Sequence, residues 1–377
     1  MGSMTRNRCI DDGKPGPAQV KHYVDRARDG AGHIVVEGIF VDWTGCDWSF
    51  VPFMITSEHA QAWPVATDAV HEVGGKIFFQ AWHAGRCQHN EMPIMKKHGG
   101  VVLAPSAVKA NAGKYRDLSG KPVSEMNGED THNVVAIQEQ KDVIEIYRRS
   151  CLLAKQAGFD GVELLAQGGY LPHQFLNSRV NRRTDANGGS VENRCRFVIE
   201  LAETLATIFD GLEFVCVKLN PTDFYNDSET YTYLIKELIR RKVGIINLSR
   251  RGADTSAGIG DFFGIDDRPE GYVLLRGYDP VLDFISLVKF PGSASLLMAN
   301  HDYTPEEADS LMKERKLDLI TFGRPFIYNP DIVNRIRHSI AFAENNRGNK
   351  VFYGPYRTPD ENYNDWPVAP FCRTPGD

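Results

Sequence analysis

The sequence predicts an α/β fold of the TIM (β/α)8 barrel type, in which parallel strands alternate with helices. Seven short runs are apolar on both alternating faces, as expected of strands that are buried on both sides of a parallel sheet. Amphipathic stretches separate these runs, which favours strand–helix repeats over a sandwich or a bundle. The seven runs cover residues 33–38, 76–82, 161–166, 214–219, 244–249, 295–300 and 317–323.

The stretches between the runs carry helix signals. Apolar side chains recur on one helical face over residues 139–156, and Gly158 then supplies a stop. Ser190 is a plausible N-cap of the next helix. Thr304 is the predicted N-cap of another helix, with Pro305 at its first position.

Seven strands are one short of a closed barrel. We expect the missing strand at residues 1–5, because they precede the helix-like segment at 18–28. The alternative is that residues 1–3 are a cloning remnant. The barrel interpretation makes residues 1–377 a single domain with a truncated first strand and long loops at about 89–127 and 252–279.

The composition excludes several classes of protein. The 377 residues carry 43 Lys and Arg against 49 Asp and Glu, a net charge of −6 without long basic runs, which argues against nucleic-acid binding. No apolar stretch is long enough to span a membrane, and no secretory signal is visible at the start. Seven cysteines without CxxC spacing argue against a structural metal site and for a reducing compartment, so we expect a cytoplasmic protein.

Active sites of such barrels lie at the carboxyl ends of the strands. Asn300, Gly323 and Arg324 follow the last two strands, where backbone N–H groups and a cation often bind phosphate. The alternative for these residues is an ordinary turn glycine and a surface ion pair.

Other polar residues at the strand ends suggest redox chemistry. Gln80 and Lys218 would face each other across the barrel mouth, and an amide opposite a cation suits a planar, electron-accepting heterocycle. Tyr170 is a candidate proton donor to a developing carbanion, and His83 and His173 are candidate acid–base groups. For each of these residues the alternative is a structural role in the barrel.

Several long motifs now identify a resemblance. They are GGYLPHQFLNSRVNRRTDANGGSVENRCRF at 168–197, KLNPTDFYND at 218–227, FGRPFIYNPD at 322–331 and VFYGPYRTPDENYNDWP at 351–367. Through them the sequence resembles the old yellow enzyme family, the FMN-dependent NAD(P)H oxidoreductases and ene-reductases, and most of all its fungal-type members, which often act in secondary metabolism.

The resemblance implies an FMN site and a substrate pocket above it. The implied FMN-binding residues are Thr5, Gly38, Gln80, Lys218, Ala299, Asn300, Gly323 and Arg324. Lys218 stands where many relatives have Arg, and Ala299 stands where relatives usually have Gly. Tyr170 matches the family's proton donor, while Trp82 and Tyr353 would line the pocket. The expected reductant is NADPH or NADH, the expected partner is a small-molecule substrate, and a homodimer is the candidate assembly.

One departure from the family pattern is more informative than the matches. Relatives carry a His–x–x–Asn or His–x–x–His pair at the end of the fourth strand, and this pair donates two hydrogen bonds to the substrate's carbonyl or nitro oxygen. Here the same positions hold Leu165 and Gly168, so both donors are missing. Loss of one such donor typically costs about 2.7–4 kcal/mol of transition-state stabilisation, so an unassisted simple enone is expected to be a poor substrate.

Three explanations of this departure stay open. A replacement donor is the first, and the candidates for substrate binding are Gln167, His173, His301 and Tyr353. A substrate that is already activated, such as a quinone, quinone methide or iminium, is the second. The third is a redox-neutral isomerisation or cyclisation on the same FMN scaffold. A non-catalytic flavin-binding barrel is disfavoured because Tyr170 is retained.

Overall fold

The computed structural model describes residues 1–90, 92–110, 134–221, 228–250, 279–348, 350–354 and 356–370. The strands in these ranges are β1 (His33–Val35), β2 (Ile39–Phe40), β3 (Lys76–Trp82), β4 (Val102–Ala104), β5 (Val134–Ala136), β6 (Gly161–Ala166), β7 (Val215–Leu219), β8 (Ile245–Ser249), β9 (Leu296–Asn300) and β10 (Leu319–Thr321). All seven strands predicted from the apolar runs are confirmed.

Helices connect these strands. They are α1 (Pro17–Arg28), α2 (Ser57–Ala62), α3 (Pro64–Glu72), α4 (Pro93–His98), α5 (Gln140–Gln156), α6 (Leu171–Leu176), α7 (Val191–Ile208), α8 (Ser228–Arg240), α9 (Pro280–Val288), α10 (Pro305–Lys313), α11 (Pro325–Tyr328), α12 (Ile332–Arg337) and α13 (Lys350–Tyr353). Both predicted N-caps form, since Ser190 Oγ accepts from the backbone of Asn193 at 3.3 Å and Thr304 Oγ1 accepts from that of Glu307 at 3.1 Å.

The main sheet is a curled parallel array in the order β1, β3, β6, β7, β8, β9 and β10, with β2 also paired to β3. Strands β4 and β5 form a separate parallel pair. Parallel strands that alternate with helices in this order confirm the predicted TIM-barrel class.

The first two residues bridge the two edges of the curled sheet. The Met1 nitrogen donates to the carbonyl of His33 at 2.7 Å, and the Met1 carbonyl accepts from Val35 at 3.0 Å. On the other side, the Gly2 nitrogen donates to the carbonyl of Phe322 at 2.9 Å. Residues 1 and 2 therefore lie between β1 and β10, where the missing strand was expected, although the pairing is too short to count as a regular strand.

Side chains inside the barrel form two layers because successive residues of a strand point to opposite faces. The lower layer is apolar and consists of Val35, Phe78, Cys216, Ile245 and Met298. Nearer the carboxyl ends of the strands, the inward positions become polar. This second layer consists of Gln80, Glu163, Lys218, Asn247 and Asn300. The apolar core proper lies between the outer face of the sheet and the helices.

The predicted long loops fall largely outside the described residues. Residues 111–133 and 251–278 are not described, while 92–110 contribute α4 and β4. Asp279 is the first described residue after the second of these ranges. It caps α9, because its Oδ1 accepts a hydrogen bond from the Val281 nitrogen at 2.9 Å. Among the helices that the structure describes, none combines the length and the apolar character needed to cross a bilayer.

Candidate active site

A cavity opens at the carboxyl ends of the barrel strands, and most of the candidate residues from the sequence line it. Strand β3 contributes an amide and an indole, the end of β6 contributes a tyrosine and a glutamine, and β7 contributes a lysine. The candidates in the cavity wall are Thr5, Gln80, Trp82, Gln167, Tyr170, Lys218, Asn300, His301, Gly323, Arg324 and Tyr353.

Three of the candidate binding residues lie outside the cavity wall. Ala299 is fully buried in the core beneath it. Gly38 packs behind the cavity, and a Cβ there would come within 2.4 Å of a ring carbon of Trp82 and 3.1 Å of the Gln80 amide oxygen. Glycine at this position therefore leaves room for both side chains. His173 is buried, and its Nδ1 accepts a hydrogen bond from the Gly169 nitrogen at 2.7 Å.

The polar floor of the cavity is organised around Glu163, which the sequence reasoning missed. This carboxylate is 1% exposed and accepts from Gln80 Nε2 at 2.6 Å and from Asn247 Nδ2 at 2.8 Å. Lys218 Nζ lies 3.9 Å from it. One sequence signal was available, because Glu163 is the charged residue in an otherwise apolar buried run, GVELLA.

The same network fixes the amides at its two ends. Ser3 Oγ donates to Gln80 Oε1 at 2.8 Å, so the orientation of this amide is set on both sides. At the other end Asn300 Nδ2 donates to Asn247 Oδ1 at 2.7 Å. Side-chain networks of this kind hold their members in one geometry, which suits recognition of a rigid ligand.

The end of the cavity near β9 and β10 has features of an anion site. His301 and Asp302 follow β9 with backbone φ angles of +81° and +55°, which are unusual for residues other than glycine. Gly323 and Arg324 lie across from them at the end of β10. A cation and a turn that exposes backbone N–H groups are the elements that bind phosphate in proteins.

The opposite wall of the cavity is aromatic and apolar. Trp82 and Tyr170 meet edge to face with ring centroids 5.0 Å apart, and Phe40 stacks on Trp82 at 4.3 Å. Tyr353 packs on Trp48 at 4.6 Å. Leu165 belongs to the same cluster, so the position at which the resemblance implies a hydrogen-bonding His is part of an apolar surface here.

Gln167 stands out on this wall because its amide makes no hydrogen bond within the part of the chain that the structure describes. Its Oε1 is buried without a hydrogen-bond partner, and the structure gives its Nε2 no partner within the described residues. Buried amides are normally satisfied, so an unused one in a cavity wall is a candidate ligand contact.

His83 has a structural role instead of the acid–base role considered from the sequence. It is fully buried outside the cavity wall, with Nδ1 accepting from the Gly85 nitrogen at 3.0 Å and Nε2 3.1 Å from Thr44 Oγ1. Burial lowers the pKa of His83 to about 4, which keeps the imidazole neutral near pH 7.

The donor set fits a planar heterocycle that carries an anionic tail. Gln80 and Lys218 offer an amide and a cation to one end of such a ligand, and Arg324 with the β9 turn offers a cation and N–H groups to the other. No group of three or more His, Cys, Asp or Glu side chains among the described residues is arranged to hold a metal ion.

Comparisons with known proteins agree with this geometry. The model of the NADH:flavin oxidoreductase / NADH oxidase family matches residues 1–342. A probable flavin mononucleotide-dependent alkene reductase of Leishmania infantum is 30% identical, with coverage of 97% of this chain and 92% of its own. The structure of morphinone reductase in complex with tetrahydroNAD has a TM-score of 0.79 at 30% identity, covering 98% of this chain and 93% of that one. The old yellow enzyme homologue from Zymomonas mobilis has a TM-score of 0.81 at 28% identity, with 98% and 95% covered.

Proposed function

Because the chain belongs to the NADH:flavin oxidoreductase / NADH oxidase family, we propose that it reduces an activated C=C bond of a small secondary metabolite, with Tyr170 as the proton donor. The family and its ene-reductase members make the chain an FMN-dependent NAD(P)H oxidoreductase, so the predicted cofactor and nicotinamide reductant are confirmed. The homodimer and the cytoplasmic location stay predictions.

FMN supplies hydride transfer when it is bound, and the side chains of the protein supply orientation and proton transfer. Thr5, Gln80 and Lys218 would hold the ring, with Lys218 beside its pyrimidine edge, where a cation stabilises the negative charge gained on reduction. Asn300, Gly323 and Arg324 would hold the phosphate. Gly38 and Ala299 lie outside the cavity wall, and their small size would leave space for the side chains that line it.

Tyr170 carries the proposal because it lines the same cavity as Gln80, Lys218 and Trp82. Its backbone is fixed by a bond from its nitrogen to the Gln167 carbonyl at 3.4 Å and by its place before α6, and its ring rests on Trp82. A phenol held in this way can deliver its proton to one carbon of the alkene, while the neighbouring carbon accepts hydride on the opposite face.

The candidates for a replacement donor differ in their position and in the hydrogen bonds that they already make. His173 lies outside the cavity wall, and its Nδ1 accepts from Gly169. Gln167, His301 and Tyr353 line the cavity, and the Gln167 amide has no partner in the described residues. We infer that Gln167 donates to a carbonyl of the substrate, and that one neutral donor suffices because the alkene is already activated.

The test is Tyr170→Phe, assayed anaerobically with NADPH as reductant and maleimide, an alkene activated by two carbonyls, as oxidant. Flavin reduction by NADPH should be unchanged, while reoxidation of the flavin by maleimide should slow by about 100-fold or more, as is typical when a general acid is removed. Rapid-mixing absorbance of the flavin measures both half-reactions.

Tyr353→Phe is the matched control, since it removes the hydroxyl of another tyrosine in the same cavity wall. Slow reoxidation in this variant and not in Tyr170→Phe would move the proton donor to Tyr353. Product formed without net NADPH consumption would favour the redox-neutral isomerase or cyclase, which the absent donor pair at Leu165 and Gly168 keeps as the second candidate. A bound flavin that NADPH does not bleach would indicate a non-catalytic binding protein.

A further inference from the structure

Arg250 is a buried cation just behind the cavity, and neither the reaction nor the sequence motifs account for it. It follows β8, is 4% exposed and does not line the cavity. Its Nε donates to the His301 carbonyl at 2.9 Å, and one Nη donates to the Asp302 carbonyl at 2.5 Å. The guanidinium lies flat on the Tyr303 ring, 3.6 Å from its centroid.

These contacts define the conformation of the turn after β9. His301 and Asp302 both have positive φ angles, a conformation that is costly for side chains other than glycine and persists only where surrounding contacts impose it. Arg250 bonds to the carbonyls of both residues and stacks on the next side chain. A planar fork of this kind can hold two carbonyls at once in a fixed geometry, whereas the ammonium of a lysine is a compact point charge with rotatable donors.

The orientation of the N–H groups follows from these bonds. In a planar trans peptide the carbonyl and the following N–H point in opposite directions. With the His301 and Asp302 carbonyls turned towards Arg250, the N–H groups of Asp302 and Tyr303 point away from it. Both residues line the cavity, and neither N–H has a partner in the part of the chain that the structure describes.

The charge of Arg250 is already balanced by other groups. Glu307 accepts from both of its Nη atoms, at 2.6 and 2.8 Å, and an oxygen of Asp279 lies 3.6 Å away. In the turn itself, an oxygen of Asp302 lies 3.2 Å from Nε2 of His301. Arg250 therefore acts on the cavity through geometry and not as a source of positive potential.

We propose that Arg250 is a positioning residue for the FMN phosphate: it holds the 301–303 turn so that the N–H groups of Asp302 and Tyr303 face that phosphate. The inference rests on the proposed placement of the phosphate between this turn and Arg324. It goes beyond that placement by assigning to Arg250 the role of orienting the backbone donors of the turn.

The test compares FMN with riboflavin, which has the same ring but no phosphate. Both are titrated by fluorescence quenching into protein from which the flavin has been removed. Arg250→Met and Arg250→Lys should each weaken FMN binding at least about tenfold, the effect of losing one hydrogen bond to a charged group. Riboflavin binding should stay within about threefold of its original value, since its ring contacts are untouched.

Arg250→Lys separates geometry from charge, because lysine keeps the charge and loses the fork. FMN binding retained in this variant and lost in Arg250→Met would show that the charge is what matters, and the proposal would be overturned. Equal losses of FMN and riboflavin affinity, or no loss at all, would overturn it too. Native protein that does not discriminate FMN from riboflavin would instead contradict the phosphate site itself.

A rescue experiment keeps the proposal testable if these variants are poorly folded. Glycine adopts positive φ without cost, so His301→Gly with Asp302→Gly in the Arg250→Met background should recover part of the lost FMN affinity. The same glycines in the native background give the reference affinity from which the recovery is measured. Failure of the rescue in a variant with native melting temperature would count against the positioning role.

Discussion

The two sides of the cavity are held together by different kinds of contact. On the polar side, Ser3, Gln80, Glu163, Asn247 and Asn300 form one chain of side-chain hydrogen bonds with donor–acceptor distances of 2.6–2.8 Å. The aromatic side is held by ring contacts 4.3–5.0 Å between centroids. The first arrangement fixes polar groups in advance for one ligand, whereas the second provides shape with few directional contacts.

This difference indicates where the chain is free to vary its chemistry. A cofactor is the same in every turnover, so its groups gain from being held by the protein before it binds. Under the proposed function, substrate choice depends on the remaining wall. There Leu165 and Gly168 occupy the positions at which the resemblance implies a donor pair, and the Gln167 amide has no partner in the described residues. Changes on the aromatic side should therefore alter which alkene reacts. Changes on the polar side should alter the binding or the midpoint potential of the flavin.

The largest expected effect comes from restoring the donor pair. Leu165→His with Gly168→Asn should raise kcat/KM for 2-cyclohexenone, a simple enone, by about 100-fold or more, because each such donor is worth about 2.7–4 kcal/mol. Gly168 has a φ of +69°, a region that asparagine tolerates better than most residues. Steady-state NADPH oxidation with the enone measures the gain.

Two observations would control this experiment. The rate of flavin reduction by NADPH should be unchanged, because both substitutions lie on the substrate wall. The single variant Gly168→Asn should give less than the pair. If the double variant folds, binds FMN and still fails to reduce the enone, the aromatic wall excludes such substrates by shape, and the absent donors are not the reason.

A smaller effect is expected at Gln167. Gln167→Leu should lower kcat/KM for maleimide by about tenfold, the loss that follows when one neutral hydrogen bond to the substrate is removed. Gln167→Glu has the same shape but no N–H donor, so it should lose at least as much. Rates that match the native enzyme in both variants would show that the donor lies elsewhere, with His301 and Tyr353 as the remaining candidates in the wall.

The two sides also differ in how far the sequence could predict them. The predicted bounds of strand β6 match the observed ones, and the polar residues at the strand ends correctly indicated where the cavity lies. Both predictions succeed because strand parity and strand direction are local properties. The partners of Glu163 were not predictable in this way, since Asn247 lies 84 residues away along the chain. Only the curled sheet, in which β6 and β8 both pair with β7, brings the two side chains together.

Turns were the least predictable part. His173 was a candidate for substrate binding, but two positive-φ glycines turn the chain before it, and its Nδ1 meets the Gly169 nitrogen. The turn that Arg250 holds carries no glycine, so nothing in the local sequence indicates positive φ at His301 and Asp302. Such conformations are imposed by tertiary contacts, which local patterns do not contain.

An effect no larger than that at Gln167 is expected on the polar side. Glu163→Gln removes a negative charge 3.9 Å from Lys218 while keeping an oxygen that can accept from Gln80. The positive charge of Lys218 then acts more fully on the ring, which stabilises the reduced, anionic flavin. We expect the flavin midpoint potential to rise by roughly 30 mV, which corresponds to about 1.4 kcal/mol for a two-electron couple.

Glu37→Gln is the matched control, since Glu37 is another glutamate that is 1% exposed and is bonded to Gln19 and the Arg6 nitrogen outside the cavity wall. Its substitution should leave the potential unchanged. Spectroelectrochemical titration of both variants gives the comparison. A potential that is unchanged or lower in Glu163→Gln would mean that Glu163 serves only to orient Gln80 and Asn247, and the contrast between the two sides would then be one of geometry alone.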